Sequence, residues 1–363
     1  MIINPFLIVM LSIKSGGISP SRAGLFMLYF LKIFLSFPLC LIEKLLLSKK
    51  ITNTKIQSPL FIIGYYRSGT TLLHKLLLSN KSFGYLTYTH VIFPYLSIIG
   101  NQGLVLMLKK LLKKLRIVNP AFHNTYFKPD DPSEENLYML CAGMKYSIAW
   151  GYLFMKKAEY FLNKYIFFKD AEIKREWQNA YLYTLKKISL KCKGKQLILK
   201  NPPNTARIKT LLELFPDAKF IFIYRNPYDL FYSMQYLWHV TAERHFALQK
   251  ISQAKHELIF LKHYSEVMHQ YIIEKNLIPS GNLAEIRFEE LKEDPFNQVQ
   301  NIYTKLNLRG FEESEEDLNR RISVESLYQQ FSYTYNPGNL KKIENHWGYF
   351  IRYWNYKPPF NES

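Results

Sequence analysis

The apolar positions of the chain fall into two patterns. Four short continuous runs, PLFIIG at residues 59–64, QLIL at 196–199, KFIFIY at 219–224 and LAEIRF at 283–288, are each followed by polar turn residues and then by helical periodicity. Runs of this length bounded by turn signals predict buried strands. Strands that alternate with helices predict an α/β fold with a parallel sheet flanked by helices. The first run leads through a tight turn into the helical stretch LLHKLLLSN. Between about residues 100 and 190 no run of strand type occurs, which predicts a helical insertion, and from about residue 290 helix is expected to give way to an aromatic tail.

The second pattern is helical and lies near the N-terminus. Residues 25–42, LFMLYFLKIFLSFPLCLI, are long enough to tempt a membrane assignment, but Lys32 stands mid-segment and Pro38 interrupts the second half. A central lysine costs roughly 2.5–3.5 kcal/mol on insertion. The segment therefore reads as a helix packed on the body of the protein or lying in a bilayer interface. Residues 1–13 are apolar but lack the basic start and small-residue cleavage site of an export signal. The expected organisation is an apolar helical segment over residues 1–50 and one domain over 55–363, with the helical insertion at about 100–190. Within that insertion, Leu104, Leu108, Leu111, Leu112 and Leu115 fall on one helical face, and Lys109, Lys110, Lys113, Lys114 and Arg116 on the other. Such a helix either docks on a core with its basic face solvated or rests on an anionic membrane.

Charge narrows the choice of partners. Forty-eight Lys and Arg against 29 Asp and Glu give a net charge of +19, which favours an anionic ligand, an anionic membrane surface or nucleic acid. No nucleic-acid reader motif accompanies the charge, so nucleic acid is not expected as a partner. The three cysteines, Cys40, Cys141 and Cys192, show no C-x-x-C spacing. They predict neither a disulfide framework nor a cysteine zinc site, and fit a reducing, cytoplasmic compartment with at most a peripheral membrane contact.

Four constellations carry chemistry. Gly64-Tyr65-Tyr66-Arg67-Ser68-Gly69-Thr70-Thr71 follows the first strand and opens a helix, the setting in which backbone N–H groups cradle phosphate oxygens. It has the glycine spacing of a P-loop, but Thr70 stands where the Walker pattern requires lysine, and Arg67 supplies the positive charge. An ordinary strand-to-helix turn with sound capping residues would look similar. Arg225 closes the KFIFIY strand, with Ser233 eight residues on; guanidinium and hydroxyl together suit a terminal phosphate, although an Arg225–Asp229 capping pair is the plainer alternative. Lys200 ends the QLIL strand, directed by an Asn-Pro-Pro turn toward the ligand crevice at the carboxyl ends of a parallel sheet, or simply into solvent. Asp130, Asp131, Glu134 and Glu135 open a helix where the macrodipole favours acids, and Glu134 or Glu135 could also act as a general base.

In combination these blocks resemble the sulfotransferase superfamily that uses 3′-phosphoadenylyl sulfate (PAPS), in particular the bacterial-type group related to tyrosylprotein sulfotransferases. The resemblance runs from about residue 55 onward through PLFIIGYYRSGTTLLHKLL, PSEENLYML, LILKNPPNTARIKTLLELFPDAKFIFIYRNPYDLFYSM and IRFEELKEDPFNQVQNIYTKLNL, in the family's order. It implies that Arg67, Ser68, Gly69, Thr70 and Thr71 bind the 5′-phosphosulfate, with Arg67 on the transferring sulfuryl group. It further implies that Arg225 and Ser233 bind the 3′-phosphate, that Phe288 lies near the adenine, and that Lys200 stabilises the transition state.

The chain departs from the family at the proton acceptor. Asn201-Pro202-Pro203-Asn204 stands where relatives commonly read Ser-Pro-Pro-His, Asn136 where their acidic block ends in Glu, and YLTYTHVIFPY carries no carboxylate. Glu134 and His90 are then equal candidates for the base. The resemblance implies a sulfuryl transfer from PAPS to a hydroxyl-bearing acceptor without a metal. The migrating group carries a single negative charge, so it needs less cation assistance than a γ-phosphoryl group. Two other readings use the same loop: a nucleoside or small-molecule kinase with a degenerate P-loop, and a non-catalytic, membrane-associated nucleotide-binding protein.

Overall fold

The computed structural model describes residues 2–115, 118–119, 125–126, 128–326 and 333–359. Its strands are β1 (Leu60–Ile63), β2 (Val118–Asn119), β3 (Thr125–Tyr126), β4 (Ile198–Lys200), β5 (Lys219–Tyr224) and β6 (Leu283–Arg287). The helices up to the end of the insertion are α1 (Leu7–Lys14), α2 (Ala23–Asn53), α3 (Thr70–Leu77), α4 (Tyr88–Ile92), α5 (Leu96–Ile99), α6 (Gln102–Leu115), α7 (Glu135–Cys141), α8 (Trp150–Leu153), α9 (Ala158–Tyr165) and α10 (Ala171–Lys191). There follow α11 (Ile208–Leu214), α12 (Pro227–Tyr236), α13 (Gln253–Glu274), α14 (Phe288–Glu293), α15 (Pro295–Lys305), α16 (Glu315–Ser326) and α17 (Pro337–Tyr353).

All four apolar runs become strands of one sheet, in the order β4-β1-β5-β6. β5 runs parallel to both its neighbours, with Leu60 opposite Lys219 and Phe220 opposite Leu283. The runs do not alternate because a parallel sheet is covered on both faces, and β1 is buried at every position. Parallel pairing brings the ends of β1, β5 and β6 to one edge, where their loops carry Arg67, Arg225 and Phe288.

Two sequence expectations are corrected here. The insertion is not free of strand, since β2 and β3 form a short antiparallel ladder with Asn119 opposite Thr125; two residues a side are too few to leave an apolar run. The chain beyond residue 290 is mostly helix rather than an aromatic tail. In α17 the Asn336 side chain accepts from the N–H groups of Gly338 and Asn339, and Pro337 occupies the first turn, both favourable for helix initiation. Ile343, Trp347, Phe350 and Ile351 then form its buried face. The indole N–H of Trp347 donates to the Leu261 carbonyl at 2.9 Å, and its ring lies 4.2 Å from that of Tyr264. Aromatic residues there mark a helical period.

The chain divides into two compact units, one of residues 1–57, 84–199 and 238–252, the other of residues 58–83, 200–237 and 253–363. In the first, α2 runs through Pro38 and buries Ile33, Ser36, Cys40, Glu43 and Ile51. Glu43 meets Lys187 of α10 in an ion pair of 2.7 Å, with 1% and 0% of the two side chains exposed. Tyr183 donates to the other carboxylate oxygen at 3.2 Å, and the Lys187 ammonium lies 4.6 Å from the Tyr95 ring centroid. Burial lowers the Lys187 pKa, and the Glu43 charge opposes that shift. In α6, Leu108 and Leu112 are buried while Lys110, Lys113 and Lys114 are exposed; Arg116 lies outside the described residues. The second unit holds β1, β5 and β6 and, with them, Arg67, Lys200, Arg225, Ser233 and Phe288.

Candidate functional site

Between β1 and α3 the chain turns through residues 64–69, and both glycines are required by space as well as by backbone angle. Gly64 has φ +147°, and a Cβ there would lie 2.3 Å from the Ile223 carbonyl oxygen. Gly69 has φ +97°, and a Cβ there would lie 2.2 Å from the Phe288 ring. Arg67 adopts φ +67°, a left-handed conformation that costs a residue with a side chain about 1–3 kcal/mol. Two contacts hold the loop in this shape. The Ser68 hydroxyl donates to the Tyr65 carbonyl at 2.7 Å, and Arg225 Nη1 donates to the Arg67 carbonyl at 3.2 Å. The loop delivers Thr70 and Thr71 to the first turn of α3, whose leading N–H groups have no partner inside the helix and whose macrodipole favours an anion.

Arg225 follows β5 and is only 6% exposed. Its guanidinium lies 4.8 Å above the Phe288 ring centroid. The Arg225–Asp229 pair exists, but at 3.8 Å, and Asp229 Oδ1 accepts the hydroxyl of Tyr335 at 2.5 Å instead. Arg225 Nε and Nη2 are buried and have no hydrogen-bond partner among the described residues. Arg67 Nε donates to Ser233 Oγ at 2.8 Å. Arg67, Arg225, Ser233 and Phe288, far apart in sequence, are thus joined by direct contacts, and Lys200 is buried at the end of β4, next to β1 in the sheet.

Three supporting residues escaped the sequence reading. The Thr205 hydroxyl accepts from the Gly64 N–H at 2.8 Å and donates to the Gly64 carbonyl at 3.1 Å. The signal for it was the Asn-Pro-Pro turn, which carries the chain from β4 back to the end of β1. Thr205→Val should leave both Gly64 groups unsatisfied and weaken nucleotide binding about tenfold in a titration, in line with roughly 1–2 kcal/mol for a lost buried bond. Glu289 accepts the Asn226 N–H at 2.9 Å and so fixes the turn that carries Arg225. His263 Nδ1 lies 3.0 Å from the Tyr65 hydroxyl.

Burial lowers the His263 pKa to about 3. Below pH 6.5 the unfolded chain gains a proton there that the folded chain refuses, so stability is full above that pH and is lost as pH falls toward 3. By pH 5 the loss from this group should be on the order of 2 kcal/mol. Urea unfolding of wild type and His263→Gln at pH 7 and pH 5 tests this, with a smaller difference expected in the variant.

The two candidate bases lie in the first unit. His90 completes a capping box on α4: its Nδ1 accepts from the Thr87 N–H at 3.1 Å and lies 2.8 Å from the Thr87 hydroxyl. Burial and the charges of Lys191 and Lys109 lower its pKa to about 4. Glu134 is the N-cap residue of α7, half-buried, and its side chain makes no capping bond.

A model of the Sulfotransferase family matches residues 59–313, a stretch that holds every residue of the nucleotide constellation. The omega-hydroxy-beta-dihydromenaquinone-9 sulfotransferase Stf3 of Mycobacterium bovis is 26% identical over 318 residues, which cover 86% of this chain and 79% of that protein. The crystal structure of sulfotransferase STF9 from Mycobacterium avium is similar with a TM-score of 0.74 at 13% identity, over 99% of both chains. Sulfotransferase STF1 from Mycobacterium tuberculosis H37Rv reaches 0.67 at 16% identity, over 94% of this chain and 89% of its own. With the loop, the sheet order and the family match in agreement, the chain belongs to the sulfotransferase family and is an enzyme that moves a sulfuryl group from PAPS to a hydroxyl.

Proposed function

We propose that Arg67, Ser68, Gly69, Thr70 and Thr71 hold the 5′-phosphosulfate of PAPS, that Arg225 and Ser233 hold its 3′-phosphate, and that Phe288 lies against the adenine. The interlock of Arg67, Ser233 and Arg225 carries this reading. It ties the Arg67 guanidinium to the Ser233 hydroxyl and the Arg225 guanidinium to the Arg67 carbonyl and leaves buried donors of Arg225 unspent, an arrangement that an anion completes by charge-assisted hydrogen bonds.

PAPS supplies the activated sulfuryl group. The α3 N-terminus and Arg67 orient its anionic end, and Lys200 adds a buried positive charge that stabilises negative charge developing on the leaving oxygen. For the proton acceptor we favour Glu134. His90 has its Nδ1 engaged in the cap and a basicity lowered by burial, which weighs against it as the base. Glu134→Gln should lower kcat at least tenfold in a sulfuryl-transfer assay, while His90→Asn should leave kcat within about twofold of wild type.

The acceptor we infer is a hydroxyl on an apolar molecule, and the enzyme is read as cytoplasmic and peripheral to an anionic membrane. In support are the menaquinone derivative named for the Stf3 relative, the basic exposed face of α6 and three cysteines that form no disulfide. The donor reading is tested by thermal unfolding with adenosine 3′,5′-bisphosphate against ADP with magnesium. At a hundred times its dissociation constant the bisphosphate should add about 2.7 kcal/mol; stabilisation by ADP and magnesium alone would overturn the assignment.

A further inference from the structure

The N-terminal helices turn an unusual amount of apolar surface outward. On α2, Leu28, Leu31, Leu35, Ile42, Leu45 and Leu46 are all exposed, Leu45 by 83%. Their spacing of three, four and seven places them on one side of the helix. The opposite side carries Ile33, Ser36, Cys40 and Glu43, all buried. α1 and the residue before it extend the outward surface: Met10 and Ile13 are exposed by 44% and 74%, and the ring of Phe6, the N-cap residue, lies 6.2 Å and 6.3 Å from those of Phe30 and Phe34 on α2. A continuous apolar face of this kind on a soluble domain marks an interaction surface.

The charges decide what covers it. Residues 1–57 contain seven Lys and Arg and a single acid, Glu43, and that acid is spent on Lys187. Lys32 and Lys50 flank the apolar face, and Lys110, Lys113 and Lys114 of α6 add exposed positive charge in the same unit. Two copies joined through this face would bring like charges together, whereas an anionic bilayer offers hydrocarbon to the leucines and headgroups to the lysines.

The described residues include one helical stretch long and apolar enough to cross a membrane, Pro20–Asn53. Crossing would pull Glu43 away from Lys187 and set both Glu43 and Lys32 in hydrocarbon. We infer that α1 and the outward face of α2 form a monotopic surface, on which α2 lies in the plane of an anionic bilayer without crossing it. The inference rests on the peripheral reading above and names the surface responsible. It supplies a means by which an enzyme with a water-soluble donor could meet an acceptor held in lipid.

The experiment is flotation of the full chain with phosphatidylcholine vesicles, with and without phosphatidylglycerol. Wild type is expected to float with the anionic vesicles, and L31E/L35E/L45E to float at least tenfold less while its stabilisation by adenosine 3′,5′-bisphosphate is unchanged. That second readout separates loss of the surface from misfolding and from failure of the donor assignment. Equal flotation of the two proteins overturns the inference. So does a dimer that forms without vesicles and is dissociated by the triple substitution, since the face would then belong to a second copy. On sealed vesicles, with Cys40, Cys141 and Cys192 replaced by serine, a membrane-impermeant maleimide should label S21C and K49C alike and spare L35C; protection of only one of the two end positions would mean that the helix crosses.

Discussion

Arg225→Ala is expected to lower kcat/KM for PAPS by roughly 30- to 5,000-fold, the equivalent of about 2–5 kcal/mol for truncating one side of a buried charged hydrogen-bonded pair. The size follows from where the side chain sits. At 6% exposure water cannot take over the lost interaction, and the Ser233 hydroxyl is a neutral group that already accepts from Arg67 Nε. Arg225 also donates to the Arg67 carbonyl, so alanine removes a prop from the left-handed turn as well as a phosphate ligand. The two effects separate with adenosine 5′-phosphosulfate, which lacks the 3′-phosphate. With that donor only the loss of the prop should register, and the variant should fall by a much smaller factor. Equal losses with both donors would make Arg225 a scaffold residue rather than a phosphate ligand. Arg225→Lys should recover little, because one ammonium cannot serve a carbonyl and a phosphate from a fixed planar fork.

The parts of this protein legible in the sequence are those where local pattern and tertiary role coincide. KFIFIY is apolar without alternation because β5 is buried between β1 and β6 and covered on both faces, and the run announced the strand with its register still unknown. The Gly64 to Gly69 loop was legible because its conformation admits few residues at those two positions. Arg225 drew notice because it closes a strand, and Ser233 because it lies eight residues on, within α12. What the sequence concealed depends on partners distant in the chain. The Asn-Pro-Pro turn shows where the chain reverses after β4 but not that the Thr205 hydroxyl will clamp the Gly64 peptide 141 residues away, and Glu289 gives no hint that it receives the Asn226 N–H. The aromatic residues of α17 misled because their period of three and four was weaker to the eye than their bulk. The two-residue strands β2 and β3 are set by pairing with each other, which no run of apolar residues records.

The Glu43–Lys187 pair is the clearest case of a hidden partnership, and it yields the largest expected change in stability. Lys187→Met should destabilise the fold by about 3–5 kcal/mol, the usual result of leaving one buried charge without its mate; stabilities of whole domains are only about 5–15 kcal/mol. The cause is the stranded carboxylate, 1% exposed, with one Tyr183 hydroxyl left to solvate it. Loss of the ammonium's contacts with the rings of Tyr95 and Tyr138, 4.6 Å and 5.3 Å away, adds a smaller amount. E43Q/K187M should therefore regain most of the loss, because the buried charge is gone and the amide oxygen still accepts from Tyr183. Urea unfolding followed by circular dichroism measures all three proteins. If the double variant is as unstable as Lys187→Met, packing of the lysine among the aromatic rings outweighs the charge. If the double variant recovers, the pair is a lock between α2 and α10 whose stability comes from keeping its members together. Such a lock holds α2 to the protein along one side while its leucines remain outward, the condition that a helix resting on a bilayer must meet.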